Sequence, residues 1–186
     1  MWQLVKLGIV FLIFSTCAGS DSDSELETSG PFFDMKAYFQ LQIDSLNATG
    51  TSIEKTITLN GETERHQMND IDFAKELRLF QQSDINRPAW VDKYTTESYL
   101  MPGSSQQLTV YTATDSTLSV QTLTTVAEPS GEIKSVAVRR KTGSVLSQGT
   151  QNLRYQPASG YQITSKQSAK VGGEIDTQIE VTFIPE

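Results

Sequence analysis

The pattern of the chain predicts an α+β fold: two N-terminal amphipathic helices and a hairpin packed on an antiparallel sheet, or meander, of about six C-terminal strands. Two observations carry this expectation. Helical periodicity is confined to the first half, while from Trp90 onward glycine and proline punctuate stretches that alternate with period two. Thr, Ser and Gln are also abundant and Leu is modest, which suits half-exposed strands with polar outer faces.

The first helix is expected over residues 31–47. Ser29-Gly30-Pro31 supplies a start, with proline near the first helical position, where its missing N–H costs nothing, and Asp34 in the first turn, where the helix dipole favours it. Phe32, Met35, Phe39, Ile43 and Leu46 recur at spacings of three and four, a stripe that faces a core. Asn47 and Gly50 end it, which also accounts for Asn47-Ala48-Thr49 more simply than its match to a glycosylation triplet.

Residues 52–68 change period. Ile53, Ile57 and Leu59 alternate with Thr56 and Thr58 up to Asn60-Gly61, a pair that tolerates the positive φ angles of a type I′ turn. The return strand, Glu62 to Met68, is almost wholly polar, so the hairpin reads as an exposed ribbon or sheet edge. Its charge deters aggregation; a partner-binding ribbon is the other use of the same residues. A second helix follows, capped by Asn69 or Asp70, with Phe73, Leu77 and Phe80 on one face. It should stop near Asn86-Arg87-Pro88, because proline disfavours helix in the residue before it. The two helices would cover one face of the sheet.

Beyond Trp90 the turns fall at Pro102-Gly103, Pro129-Ser130-Gly131, Thr142-Gly143, Pro157-Ala158-Ser159-Gly160 and Gly172-Gly173. The last strand is the clearest: Ile175, Thr177, Ile179, Val181 and Phe183 alternate with Glu174, Asp176, Gln178, Glu180 and Thr182, so one face is buried and the other wet. Leu118, Val120 and Val126 facing Ile133, Val136 and Val138 give a further hairpin, and Tyr161 and Ile163 open the penultimate strand.

Residues 1–29 belong to a different kind of segment. Lys6 is the only charged side chain before an apolar run from Leu7 to Phe14. A bilayer-spanning helix needs about 20 apolar residues, so this run suits a secretory leader and not a permanent anchor. Small residues Ser15 and Thr16 then precede Cys17. Phe14-Ser15-Thr16-Cys17 resembles the lipobox of bacterial lipoproteins, with Phe14 where Leu is commonest and Thr16 where Gly, Ala or Ser is commonest. That looser form, and the body behind it, resemble the small lipoproteins of Bacteroidota. The resemblance implies removal of residues 1–16 as a signal peptide, acylation of Cys17, and residence at the outer membrane of the cell envelope, on its periplasmic or its surface face.

Cysteine chemistry bears on the same residue. A single cysteine has no internal disulfide partner, so an exported chain needs some account of its thiol. Lipidation is one; a free thiol behind an ordinary signal peptide is the other. Residues 17–29 are short, polar and acidic, as a tether should be. An address for the outer face and a plain solvated linker both explain the acidic residues. A single α+β domain is then expected over 30–186, about the size that one hydrophobic core supports.

The net charge is −7, or −8 once Lys6 leaves with the signal peptide and His66 is counted neutral. Such a surface argues against nucleic acid and against anionic headgroups as partners, leaving acyl chains as the membrane contact. The chain has one histidine, His66, set between Arg65 and Gln67 on the polar hairpin strand, a poor place for a catalytic base. A zinc site of several His and Cys ligands is excluded by count. Asn69-Asp70-Ile71-Asp72 lacks the spacing and glycine of an EF-hand loop, and no phosphate-cradling glycine motif is present. No cofactor and no catalytic residue is therefore assigned. Trp90 is expected as a core plug, and Arg139-Arg140-Lys141 as a solvated strand end, with an interface role as the alternative for both.

These readings combine into a non-enzymatic envelope lipoprotein that binds or scaffolds another envelope protein, lipid or glycan. Two alternatives stand beside it: a carrier or assembly factor for lipid or lipoprotein, with an apolar cavity between sheet and helices, and a glycan-acting hydrolase with a distant carboxylate pair.

Overall fold

A computed structural model describes residues 30–144, 147–169 and 173–185. Cys17, the leader and the tether lie outside the described residues, as does Gly172 of the expected last turn.

The first helix, α1, runs Met35–Ala48, four residues later at its start than the stripe implied. The cause is Asn86. Its side chain accepts from the Phe32 amide at 3.0 Å and donates to the carbonyls of Phe32 and Phe33 at 3.2 Å each, occupying backbone groups that a helix would use. Asp34 accordingly caps the helix: its carboxylate accepts from the Ala37 amide at 2.8 Å. Met35, Phe39, Ile43 and Leu46 are buried, as the spacing requires.

Strands β1 (Ser52–Leu59) and β2 (Glu62–Met68) form the expected hairpin, with Asn60 at φ 50° and Gly61 at φ 93° in its turn. The expected second helix is reduced to two single turns, α2 (Phe73–Glu76) and α3 (Arg78–Gln81). Asp72, not Asn69 or Asp70, caps α2 by accepting from the Lys75 amide, and Leu77 breaks the run at φ −95°, ψ 1°. Phe73, Leu77 and Phe80 are nevertheless all buried. A short 3-10 turn, Pro88–Trp90, leads into the remaining strands.

Those are β3 (Tyr94–Leu100), β4 (Gln107–Ala113), β5 (Val120–Ala127), β6 (Ile133–Gly143), β7 (Ser147–Gln156), β8 (Gly160–Ala169) and β9 (Gly173–Ile184). They make a continuous antiparallel meander, and β1 pairs with β9, giving one nine-stranded sheet in the order β2-β1-β9-β8-β7-β6-β5-β4-β3. The expected α+β class with about six strands is thus overturned. The hairpin is not packed on the sheet; it is two strands of it. The reason is that Ile53 pairs with Phe183 and Ile57 with Ile179, so β1 and β9 present matching apolar faces across more than a hundred residues of sequence.

Chain direction explains the helices' place. Strand β2 lies at one edge and β3 at the other, so residues 69–93 cross the sheet, and α2 and α3 meet α1 over its inner face. Beneath them the registered row Val181, Tyr161, Tyr155 and Val136 runs across four strands and is buried throughout. Phe39 stacks on Phe80 at 4.9 Å and meets Tyr155 edge-on at 4.9 Å. Gly160, in the expected turn before β8, has φ +135°; a Cβ there would sit 1.9 Å from the Val181 carbonyl oxygen, so only glycine fits. The β5–β6 hairpin is present but shifted: Leu123 pairs with Val138, while Val126 pairs with Ser135 across a pair that carries two register shifts.

Candidate functional site

Strands β6 to β9 outrun the helix layer. Their buried positions end at Val138, Leu153, Tyr161 and Val181, and the halves beyond are half-buried or exposed. There they wall a recess of about 810 Å³, closed at one side by Thr117 and Ser119 from the β4–β5 connection. Its chemistry is polar: Thr142 and Gly143 from β6, Gln148 and Gly149 from β7, Lys166 and Gln167 from β8. Lys141 at its rim donates to the Ser116 carbonyl at 2.9 Å. Lys166 pairs with Asp176 at 3.5 Å.

Beside the recess the basic cluster is divided by the pleat. Arg139 and Lys141 point to the outer face and are exposed, and Arg139 donates to the Thr122 hydroxyl at 3.1 Å. Arg140 points the other way, onto the face that carries the helices, and is half-buried. The expected solvated strand end therefore holds for two of the three residues and not for Arg140. Its Nε and Nη1 are buried and have no hydrogen-bond partner among the described residues, and the same is true of the Thr142 hydroxyl two positions on. Burial lowers the Arg140 pKa, and the neighbouring positive charge of Arg87 lowers it further.

Arg87 is placed by the segment that crosses the sheet. Its guanidinium lies 4.2 Å from the Trp90 ring centroid and donates to the Gln82 carbonyl at 3.4 Å. Trp90 is half-buried, and its ring is 6.2 Å from that of Tyr94. The Tyr94 hydroxyl in turn donates to the carbonyl of Val120 at 2.7 Å, the residue paired with Arg140. Trp90 thus seats the end of the crossing segment beside the β5–β6 pair at Val120 and Arg140.

Compared with protein-family models, with curated proteins and with solved structures, the chain matches none.

A second polar cluster went unnoticed in the sequence. Lys55 on β1 donates to both oxygens of the Glu76 carboxylate at 2.8 Å, and the Tyr161 hydroxyl donates to one of them. Burial, with the adjacent Glu76 carboxylate, raises the Tyr161 pKa far above its usual range. This cluster fastens α2 to β1 and β8. The signal that would have found it is a lysine at an inward position, flanked by Ile53 and Ile57 in an alternating strand.

The remaining residues singled out by sequence fall elsewhere. His66 is exposed on the edge strand β2, 3.4 Å from Glu64. Asp72 is a helix cap, and among the described residues no group of three His, Cys, Asp or Glu side chains is arranged to hold a metal ion. Glu174 and Asp176 stand two apart on the recess wall, both exposed. Cys17, the one residue given a chemical role, lies outside the described residues.

Proposed function

We propose that this protein is a non-enzymatic binding or scaffolding module of the bacterial cell envelope, tethered to the outer membrane through acyl chains on Cys17. Its ligand surface is the recess on the sheet face opposite the helices, where Lys141, Thr150, Lys166 and Asp176 form one cross-strand row. The observation that carries this reading is the recess itself. Four adjacent strands extend past the helices, and they line the open space with hydroxyls, amides and lysines, groups suited to holding a polar partner by hydrogen bonds.

A lipid carrier would need open apolar space between sheet and helices. Met35, Phe39, Leu77, Phe80 and Tyr155 fill that space at 0% exposure. A glycan hydrolase would need a sheltered acid, whereas Glu174 and Asp176 face solvent and Asp176 is paired with Lys166.

The test has two arms. Mass spectrometry of the mature N-terminus, with and without globomycin, should show a diacylated or triacylated Cys17 that the inhibitor abolishes. Isolation of the intact protein from its own membrane should recover an envelope component that is lost with Ser168→Trp, which fills the recess from an exposed position on its wall. An unacylated Cys17 would remove the tether, and recovery unaffected by Ser168→Trp would remove the recess from the reading.

A further inference from the structure

We propose that the recess is the wide end of a groove along the outer face of β6, β7 and β8, and that this groove binds an extended acidic glycan, a hydroxyl-rich chain with anionic groups at intervals. The inference rests on the binding-module reading and names its class of ligand.

Charge is segregated by strand. The chain has 22 acidic and 15 basic side chains, yet strands β4 to β8 contain no aspartate or glutamate and six of the bases: Lys134, Arg139, Arg140, Lys141, Arg154 and Lys166. Arg139, Lys141, Arg154 and Lys166 are exposed on the face opposite the helices. Of these four, only Lys166 meets a carboxylate among the described residues, Asp176 at 3.5 Å. The acids begin on the next strand: Glu174, Asp176 and Glu180 of β9 stand beside Ser168, Lys166 and Gln162 of β8. Like charge along that bank keeps a polyanion over β6 to β8.

The same face is hollowed along its length. Next to the recess a depression of about 510 Å³ lies between Thr122 and Thr124 of β5 and Gln162 and Thr164 of β8. A third, of about 210 Å³, shares Arg154 and Gln162 with it. Ala137, paired with Arg154, contributes only a methyl group to the middle one. The cations fall in three successive cross-strand rows, at Arg154, at Arg139 and at Lys141 with Lys166, roughly 7 Å apart along the strands. An extended chain lying along the groove therefore meets a cation at each row. Between the cations stand threonine hydroxyls and the amides of Asn152 and Gln162, which both donate to and accept from sugar hydroxyls. Strands β6 to β8 are paired on both sides, so an acidic peptide gains no main-chain hydrogen bonds here by strand addition.

The test uses the full chain in an uncharged detergent, with binding followed by calorimetry against four polymers of similar length: oligogalacturonate, phosphorylated dextran, plain dextran and poly-glutamate. Saturable binding is expected with one or both acidic glycans, weakening as sodium chloride rises, and far weaker with plain dextran and poly-glutamate. Which acidic glycan binds tells carboxylate from phosphate recognition. The double variant Arg139→Gln, Arg154→Gln changes two exposed side chains and should weaken that binding about ten-fold. Arg65→Gln, at an exposed cation on β2, should leave it unchanged. The inference is overturned by no saturable binding to either acidic glycan, by equal binding of plain dextran or poly-glutamate, by equal affinity in the double variant and the parent, or by an equal loss in Arg65→Gln. If Ser168→Trp still abolishes recovery of the envelope component in that event, the binding module stands and only the acidic glycan fails.

Discussion

The chain's tyrosines show how single side chains couple this fold to pH. All six have phenol pKa values raised above the ordinary 10.0. Burial is the leading cause at Tyr38, Tyr94, Tyr111, Tyr155 and Tyr161, while the Glu97 carboxylate holds the proton on exposed Tyr99. Tyr94 is pushed up to about 12. A folded chain that keeps these protons competes with an unfolded chain that releases them near pH 10. Their contribution to stability is therefore complete below pH 10 and falls as pH climbs through the folded values. Absorbance titration at 295 nm should show little phenolate in the native protein at pH 10 to 11, then a cooperative rise coinciding with loss of the sheet signal. Phenolate appearing near pH 10 with the sheet intact would contradict the buried aromatic core.

At the scale of elements, α1 is the one helix long enough to matter, and its worth lies in what it presses onto the sheet. Phe39 is its central residue: fully buried, stacked on Phe80 of α3 and edge-on to Tyr155 of β7. Phe39→Ala removes one ring from a three-element contact and should destabilise the protein by about 3–5 kcal/mol in urea unfolding. Leu41→Ala, on the exposed side of the same helix, should change stability by less than about 0.5 kcal/mol. Equal effects would mean that α1 is not seated as described. The α1 stripe and the Asn60-Gly61 turn were both legible because each depends on neighbours within a few residues. The helix start was not, because the competing hydrogen bonds come from Asn86, far along the chain.

Among the described residues, the sheet is a single ladder whose two edges, β2 and β3, differ in character. Strand β2 is exposed throughout and charged at Glu62, Glu64 and Arg65, as its sequence implied; β3 carries only Glu97 and exposes Tyr99 and Leu100. Strands β7, β8 and β9 are paired on both sides under the helices. Amide hydrogen exchange should rank them slowest and the two edges fastest, with the recess halves of β7 to β9 intermediate. Strand β9 exchanging as fast as β2 would mean that its pairing with β1 does not hold.

Local patterning by itself determined the alternating strands, the hairpin turn and the buried face of α1. It also marked Cys17 as the residue that needs a chemical explanation. Only the tertiary structure decided that the hairpin joins the sheet, that one lysine meets a distant glutamate and tyrosine, and that Arg140 parts company with its basic neighbours. The physical reason is common to all three. Periodicity reports which face a side chain takes relative to its own strand or helix, whereas a nine-stranded sheet, a salt-bridged clamp and a recess are made by registers between segments far apart in sequence, and those registers are set by mutual burial.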